Sequence, residues 1–249
     1  MLSLLRAVLW IDPLILLSTA IHGSINLIVA LWDSEGSTQL KVARAWARSL
    51  LRIAGVEVTV EGAEKLTPGE SYVFVSNHVS YMDTPVVLSH VPANFRFMAK
   101  SGLFKVPFIG GHLTKAGHIS VPLDDPRASV KVLSSAGKML KDRGLSVLVF
   151  PEGGRSETGE LRAFKEGAAY LAIKGGTPVV PMAIIGIRDV LPMHSGHVRP
   201  GKVTLRIGDP IPTADLTTRD RDALTQHLFD SVHRLRDRLP VSEFRAARS

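Results

Sequence analysis

From Gly55 onward the chain alternates short apolar runs with longer helix-type segments, and few architectures accept that pattern. The runs that read as strands are Val56–Val60, Tyr72–Val75, Phe95–Met98, His118–Val121, Ser146–Phe150, Val179–Ile187 and Lys202–Ile207. Helix-type patterning falls at about Ser80–Ser89, Ser101–Leu113, Pro126–Asp142, Leu161–Lys174 and Arg219–Arg238. Such alternation predicts an α/β fold, a mixed sheet of about seven strands covered by helices. A chain of 249 residues can bury one sizeable core of that kind. No internal repeat or low-complexity tract interrupts it, and Glu243 to Ser249 read as a frayed polar tail.

The first 54 residues follow a different rule. Residues 2–32 are almost entirely apolar, and from Leu14 to Trp32 nothing is formally charged. A full membrane span needs roughly 20 apolar residues, and this stretch just reaches that. Its middle, His22-Gly23-Ser24-Ile25-Asn26, is expensive in hydrocarbon. The expectation is therefore two short helices dipping into one leaflet, broken near Asp12-Pro13 or His22-Gly23, rather than one clean span or a cleaved signal peptide. Residues 37–54 pattern as an amphipathic helix with Lys41, Arg44, Arg48 and Arg52 on one face. That face is either a solvated surface above a core contact or a contact for anionic lipid. The division expected is a membrane-associating helical segment over 1–54 and a catalytic domain over 55–249. By the positive-inside bias, that domain belongs on the cytoplasmic face of the cell membrane.

A formal net charge of +7 admits nucleic acid, anionic lipid or phosphorylated small molecules as partners. With 6% aromatics and no interleaving of basic and aromatic residues, nucleic acid is not expected. There are no cysteines, which removes disulfides, thiolate metal sites and any acyl-cysteine intermediate.

Two stretches could carry chemistry. At the end of the second apolar run stands Ser76-Asn77-His78-Val79-Ser80-Tyr81-Met82-Asp83. A histidine paired with a carboxylate can take a proton from a hydroxyl, the carboxylate fixing the tautomer and steadying the imidazolium. On one unbroken helix the two would face about 140° apart. They meet only if His78 lies on the loop and Asp83 in the first turn of the next helix, which the Ser-x-x-Asp capping pattern allows. Alternatively, Asp83 is only a capping carboxylate and His78 only a satisfied core histidine. The second stretch is Val147-Leu148-Val149-Phe150-Pro151-Glu152-Gly153-Gly154-Arg155-Ser156, an apolar strand ending in a glycine-rich loop with an arginine. Open α/β sheets bind ligands at the carboxyl ends of strands, glycines permit close backbone approach, and arginine offers a planar fork to phosphate. Alone it could equally be an ordinary turn with an exposed arginine.

In combination and in order, His78-x4-Asp83, the Phe150-Pro151-Glu152-Gly153-Gly154-Arg155-Ser156 loop and Val180-Pro181-Met182-Ala183-Ile184 resemble the glycerolipid acyltransferases, most closely the bacterial lysophosphatidate acyltransferases. The likeness runs from about Leu40 to Pro212 and includes Lys100-Ser101-Gly102-Leu103-Phe104-Lys105-Val106-Pro107 and Phe164-Lys165-Glu166-Gly167-Ala168. One departure stands out. The family's second motif usually ends in Asp-Arg, the arginine helping to hold the acceptor's phosphate, whereas here Gly117-His118-Ile119-Ser120-Val121 runs into Pro122-Leu123.

The resemblance implies transfer of a fatty acyl group from acyl-CoA or acyl carrier protein to a hydroxyl of a lysophospholipid. His78 would be the base and Asp83 its orienter. Arg155, with Lys105 and Lys100, would hold the acceptor phosphate. Glu152 would position the acceptor or that arginine, and Gly153 and Ser156 would complete the loop. No cofactor or metal is implied; the acyl thioester is a co-substrate, and the lysolipid is met at a membrane surface. Phe104, Phe108 and Ile109 are candidates for an apolar groove, or plain core. With the second-motif arginine missing, another lysolipid or lipid alcohol remains open as acceptor, with Arg127 a possible substitute cation. Two rivals also stand: a serine hydrolase using Ser80 or Ser156, although neither lies in a Gly-x-Ser-x-Gly elbow, and a non-catalytic membrane-binding module.

Overall fold

A computed structural model describes residues 5–33, 35–106 and 109–238. Phe108, the apolar start before Leu5 and the tail from Glu243 lie outside the described residues, and so does the side chain of Ile109. The chain opens with a π-helical turn, Ala7–Ile11, that runs into α1 (Asp12–Val29), followed by α2 (Ser37–Ala54). The sheet strands are β1 (Val56–Glu61), β2 (Val73–Ser76), β3 (Phe95–Lys100), β4 (Ile119–Val121), β5 (Ser146–Val149), β6 (Val179–Ile185) and β7 (Gly201–Ile207). Between them come α3 (Asp83–His90), α4 (Ile109–Lys115), α5 (Pro126–Arg143), α6 (Gly167–Gly175), α7 (Ile187–Val190) and, last, α8 (Arg221–Asp237).

The seven strands lie in the order β1-β7-β6-β2-β5-β3-β4, parallel throughout except for the antiparallel β6/β7 pair. Both faces of the centre are covered, so its strands read as continuous apolar runs, and every residue from Val73 to Ser76 is buried. Their period-two alternation divides the core. Val73, Val75, Val147, Val149 and Val179 pack against α5, α6 and α8 through Leu133, Leu171, Leu224 and Leu228. Phe74, Leu148, Val180 and Met182 turn to the other side, with Leu51 of α2 and Val86 and Val87 of α3.

The expected helix over 37–54 runs from Ser37 to Ala54 and is closed by Gly55 at φ +71°, a left-handed cap that suits glycine. Other boundaries differ for local reasons. The helix expected at Ser80 begins at Asp83, because the Asp83 carboxylate takes the N–H groups of Val79 and Ser80 and holds those residues in a turn. The segment expected as one helix from Ser101 to Leu113 is a 3₁₀ turn, Ser101–Lys105, and a separate α4, since Val106 is extended before Pro107. Residues 161–166 are loop rather than helix, with the Arg162 and Lys165 N–H groups bonded to the Glu152 side chain and the Pro151 carbonyl. β6 ends at Ile185, not Ile187, because Gly186 turns into α7.

The N-terminal segment forms a hairpin of α1 against α2, with Ser18 Oγ 2.6 Å from Ser49 Oγ and Trp46 Nε1 donating to Thr19 Oγ1 at 3.0 Å. The helix bends into π geometry before Asp12 but continues unbroken through His22-Gly23. His22 offsets its cost in an apolar stretch by bonding the Ser18 carbonyl one turn back at 2.9 Å. From Ala7 to Val29, 23 residues are long and apolar enough to cross a membrane, and few of them are buried. Most large apolar side chains exposed among the described residues lie between Leu5 and Trp32, led by Leu31 at 76% and Leu16 at 70%. A continuous apolar surface of this kind marks an interaction site, and its chemistry is that of membrane association. The basic face of α2 is split: Lys41, Arg48 and Arg52 are exposed, whereas Arg44 turns inward to donate to the carbonyls of Val91 and Ala93 at 2.7 and 2.6 Å.

Candidate active site

β2 and β5 are adjacent and parallel, with Val75 opposite Val149. Their carboxyl ends therefore lie side by side, and the loops that follow, His78–Asp83 and Pro151–Ser156, meet although about seventy residues separate them in the chain. Three hydrogen bonds join the loops directly or through a neighbour. The His78 N–H donates to Glu152 Oε1 at 2.7 Å, and the Ser156 N–H to the His78 carbonyl at 2.8 Å. The Arg162 N–H donates to Glu152 Oε2 at 2.9 Å. Asn77 adds a two-way clamp to β6, accepting from the Ile184 N–H at 2.8 Å and donating to the Ile184 carbonyl at 3.0 Å.

Asp83 is fully buried at the N-terminus of α3. One of its oxygens, Oδ2, accepts from the N–H groups of Val79 at 2.7 Å and Ser80 at 2.8 Å and lies 2.7 Å from His78 Nδ1. The carboxylate thus holds the turn and meets the histidine ring with the same oxygen. With Nδ1–H directed at Asp83, the lone pair is on Nε2, and no hydrogen bond engages Nε2 among the described residues. The imidazole is further fixed by stacking on Phe150, ring centres 4.1 Å apart and planes 15° from parallel.

Glu152, expected to position the acceptor or Arg155, has both oxygens engaged by backbone N–H groups, so its geometry is that of a buried clamp between loops. Burial raises its carboxyl above the ordinary range, and the two N–H donors oppose that. Gly153 sits at φ +73°, and a Cβ there would come within 2.9 Å of Lys165 Cε, so the side chain of Lys165 lies against the loop. Arg155 stacks its guanidinium 3.3 Å above the ring centre of Tyr81. Its Nη1 is buried and has no hydrogen-bond partner among the described residues.

Neither Ser156 nor Ser80 turns its hydroxyl to the His78 ring. Ser156 Oγ accepts from the Gly159 N–H at 3.2 Å. Ser80 Oγ donates to the Leu191 carbonyl at 2.9 Å and accepts from the Met82 N–H at 3.2 Å. Lys100 closes β3 on the same sheet edge, exposed and 3.7 Å from Asp124, while Lys105 is exposed at the end of the 3₁₀ turn. No hydrogen bond or ion pair joins either lysine to the Arg155 loop among the described residues. Arg127 is exposed in the first turn of α5. Leu123, where the second motif would have its arginine, packs against the apolar core on the α5 side of the sheet. Sequence reasoning missed Phe150, Tyr81 and Lys165 as parts of the site; their only signal was position beside the two motifs. Among the described residues no cluster of His, Asp and Glu could hold a metal ion.

An acyltransferase family model matches residues 57–185, more than half of the sequence and the span that carries both loops. The chain belongs to the acyltransferase family. It is 37% identical over 172 residues to a chloroplast 1-acyl-sn-glycerol-3-phosphate acyltransferase of Arabidopsis thaliana, a match that covers 68% of this chain and 48% of the relative. The chain thus spans about half the length of that relative. A 1-acyl-sn-glycerol-3-phosphate acyltransferase of Cocos nucifera is 27% identical over 230 residues, 92% of this chain and 73% of the relative. Among solved structures, the 1-acyl-sn-glycerophosphate acyltransferase of Thermotoga maritima superposes with a TM-score of 0.76 at 26% identity, covering 94% of this chain and 97% of that one. Coverage that broad extends the likeness through the N-terminal hairpin.

Proposed function

We propose that the chain transfers a fatty acyl group from an acyl thioester to the sn-2 hydroxyl of 1-acyl-sn-glycerol-3-phosphate, making phosphatidate. The observation that carries this reading is the His78–Asp83 pair: a histidine whose Nδ1 is fixed by a buried carboxylate and whose Nε2 is left unengaged. The names of the relatives supply the substrate class. In the reaction, Nε2 accepts the proton of the attacking hydroxyl as its oxygen bonds to the thioester carbonyl carbon. The carbon–sulfur bond then breaks, the sulfur leaves as a thiolate without help from an acid because its thiol has a pKa near 8.5, and the proton on Nε2 passes to that thiolate or to solvent, restoring the base. No enzyme nucleophile is needed. Arg155, with one buried N–H group unpaired, is the residue we assign to the acceptor phosphate, and Lys165 is the adjacent cation; Lys100 and Lys105 stand farther along the same edge. With a half-buried Leu123 in place of the motif arginine, phosphate recognition rests on these cations.

The donor is acyl-CoA or acyl carrier protein, and no cofactor is invoked. The division into a membrane-associating segment, 1–54, and a catalytic domain, 55–249, follows the change from exposed apolar hairpin to sheet. The apolar face of α1, with Lys41, Arg48 and Arg52 beside it on α2, supports a catalytic domain held at the cytoplasmic face of the membrane. A serine hydrolase is disfavoured because neither serine hydroxyl is hydrogen-bonded to the His78 ring: Ser80 Oγ donates to the Leu191 carbonyl, and Ser156 Oγ accepts from the Gly159 N–H.

The test is an assay of the purified protein with labelled acyl thioester and several lysolipid acceptors. Lysophosphatidate should be the preferred acceptor, and His78→Ala should remove transfer while the protein stays folded. Full transfer by folded His78→Ala would refute the base, and preference for an acceptor without phosphate would refute the substrate.

A further inference from the structure

Outside the N-terminal hairpin, Tyr81 is the only exposed phenylalanine, tyrosine or tryptophan among the described residues, at 68%. Its backbone does not share that freedom. The preceding N–H, of Ser80, donates to Asp83 Oδ2 at 2.8 Å, and the following one, of Met82, donates to Ser80 Oγ at 3.2 Å. Met82 itself is buried. The Tyr81 ring therefore projects from the same turn that sets His78 Nδ1 2.7 Å from Asp83. What it carries is the guanidinium of Arg155, 3.3 Å above the ring centre.

Arg155 is not secured in the way other arginines of the molecule are. Arg206 is held by Glu61, and Arg44 by the carbonyls of Val91 and Ala93. No hydrogen bond or ion pair engages the Arg155 guanidinium among the described residues. Glu152, the carboxylate in its own loop, has both oxygens taken by the N–H groups of His78 and Arg162. The two residues before Arg155 are glycines, which leave the local backbone permissive. Stacking on Tyr81 is thus the contact that fixes the plane of this side chain.

The three nitrogens of that plane are not equivalent. Nη1 is buried, whereas Nε and Nη2, equally unpaired, are not. Nε and Nη2 lie on one edge of the guanidinium and direct two parallel N–H groups, the pair that grips two oxygens of a phosphate. A ring stacked on the face of the plane leaves its edges free, so Tyr81 holds the arginine without competing for its ligand. A fork already held in one orientation has less freedom to lose when the anion arrives.

We infer that Tyr81 is a positioning residue for acceptor binding: its ring fixes Arg155 so that the open Nε–Nη2 edge meets the acceptor's phosphate at a set place relative to His78. The inference rests on the acyl-transfer reading for the identity of that phosphate. Tyr81 acts through Arg155 and touches neither the reacting hydroxyl nor the thioester. One turn of chain then carries both settings, the base through Asp83 and the phosphate fork through Tyr81.

The experiment uses the full-length protein with an acyl thioester and lysophosphatidate. Tyr81→Leu should raise the acceptor KM about two- to fivefold, the effect of one exposed cation–ring contact, with kcat and the thioester KM unchanged within about twofold. Tyr81→Phe keeps the ring and should match wild type, and Tyr81→Trp should match it or lower the acceptor KM. Once Arg155→Ala has removed the guanidinium, adding Tyr81→Leu should change nothing further. An unchanged acceptor KM in Tyr81→Leu would overturn the inference. So would an equal rise in Tyr81→Phe, which would put the effect on the hydroxyl, or an equal rise in the Arg155→Ala background. A loss confined to kcat would also overturn it, pointing to a disturbed His78 turn. Calorimetric binding of sn-glycerol 3-phosphate, with no acyl donor present, gives a readout independent of catalysis, and its Kd should rise in Tyr81→Leu by the same factor. That rise, in a protein that transfers acyl groups to no acceptor, would refute the acyl-transfer reading and leave the Tyr81 assignment standing. Acyl transfer with an acceptor KM and a Kd both indifferent to Tyr81→Leu would do the reverse.

Discussion

The two ends of this molecule use buried and exposed groups in opposite ways. At the carboxyl edge of β2 and β5, buried polar groups are tied to backbone: Asp83 to Val79 and Ser80, Glu152 to His78 and Arg162, Asn77 to Ile184. At the N-terminal hairpin the apolar side chains that would ordinarily be buried are exposed, from Leu5 to Trp32. The first arrangement fixes the orientation of a histidine, because backbone anchors have little rotamer freedom to lose. The second holds no geometry and serves as a surface. Fixed side-chain geometry and exposed apolar surface thus lie in different parts of the chain.

The comparison breaks first at Asp83. Asp83→Asn keeps an oxygen acceptor but removes the charge that steadies the imidazolium, so kcat should fall by about 10²–10⁴-fold, with far-ultraviolet circular dichroism little changed. A loss below tenfold would return Asp83 to a capping role alone. Next comes the surface. Leu16→Glu combined with Leu31→Glu places two charges in the apolar face and should weaken sedimentation with anionic vesicles by about 30-fold or more, since each lost leucine contact is worth roughly 1.5–3 kcal/mol. Undiminished vesicle binding would remove the hairpin from the delivery role.

Arg155→Lys sharpens the site side. A lysine keeps the charge but loses the fork and the stacking on Tyr81, so the acceptor KM should rise about tenfold while the KM for the thioester stays within twofold. Equal changes in both would point to a loop defect rather than a phosphate contact. The smallest effect concerns pH. His118 has a folded pKa of about 3, well below the ordinary 6.5, so between those values the unfolded chain binds the extra proton and stability falls as the medium is acidified. His118→Asn, which keeps an acceptor for the Phe97 N–H, should flatten the decline of the urea midpoint between about pH 6.5 and 3, measured against wild type. A parallel decline in both would remove His118 from that dependence.

Much of the site was legible because its parts lie on short local stretches. The Ser-x-x-Asp spacing made a meeting of His78 and Asp83 possible, and the glycines and arginine after Phe150 suggested an anion loop. Other parts were not legible. The stacking of Phe150 on His78 and of Arg155 on Tyr81 joins residues far apart in sequence, and an aromatic beside a motif looks the same whether it packs or reacts. Glu152 illustrates the same limit: a glutamate beside an arginine reads as an ion pair, yet its oxygens serve N–H groups of His78 and Arg162.

By itself, the sequence determined the local facts: seven apolar runs, an amphipathic helix from Ser37 to Ala54, a capped turn at Asp83 and an apolar start that carries no formal charge from Leu14 to Trp32. These follow from side-chain periodicity and backbone preference, which act over a few residues. Tertiary structure alone decided that β2 lies beside β5, which brings two loops about seventy residues apart into one site. It also turned Arg44 inward from its basic face to donate to the carbonyls of Val91 and Ala93. Strand order and helix docking are settled by burial summed over the whole core, and no short window of sequence contains that sum.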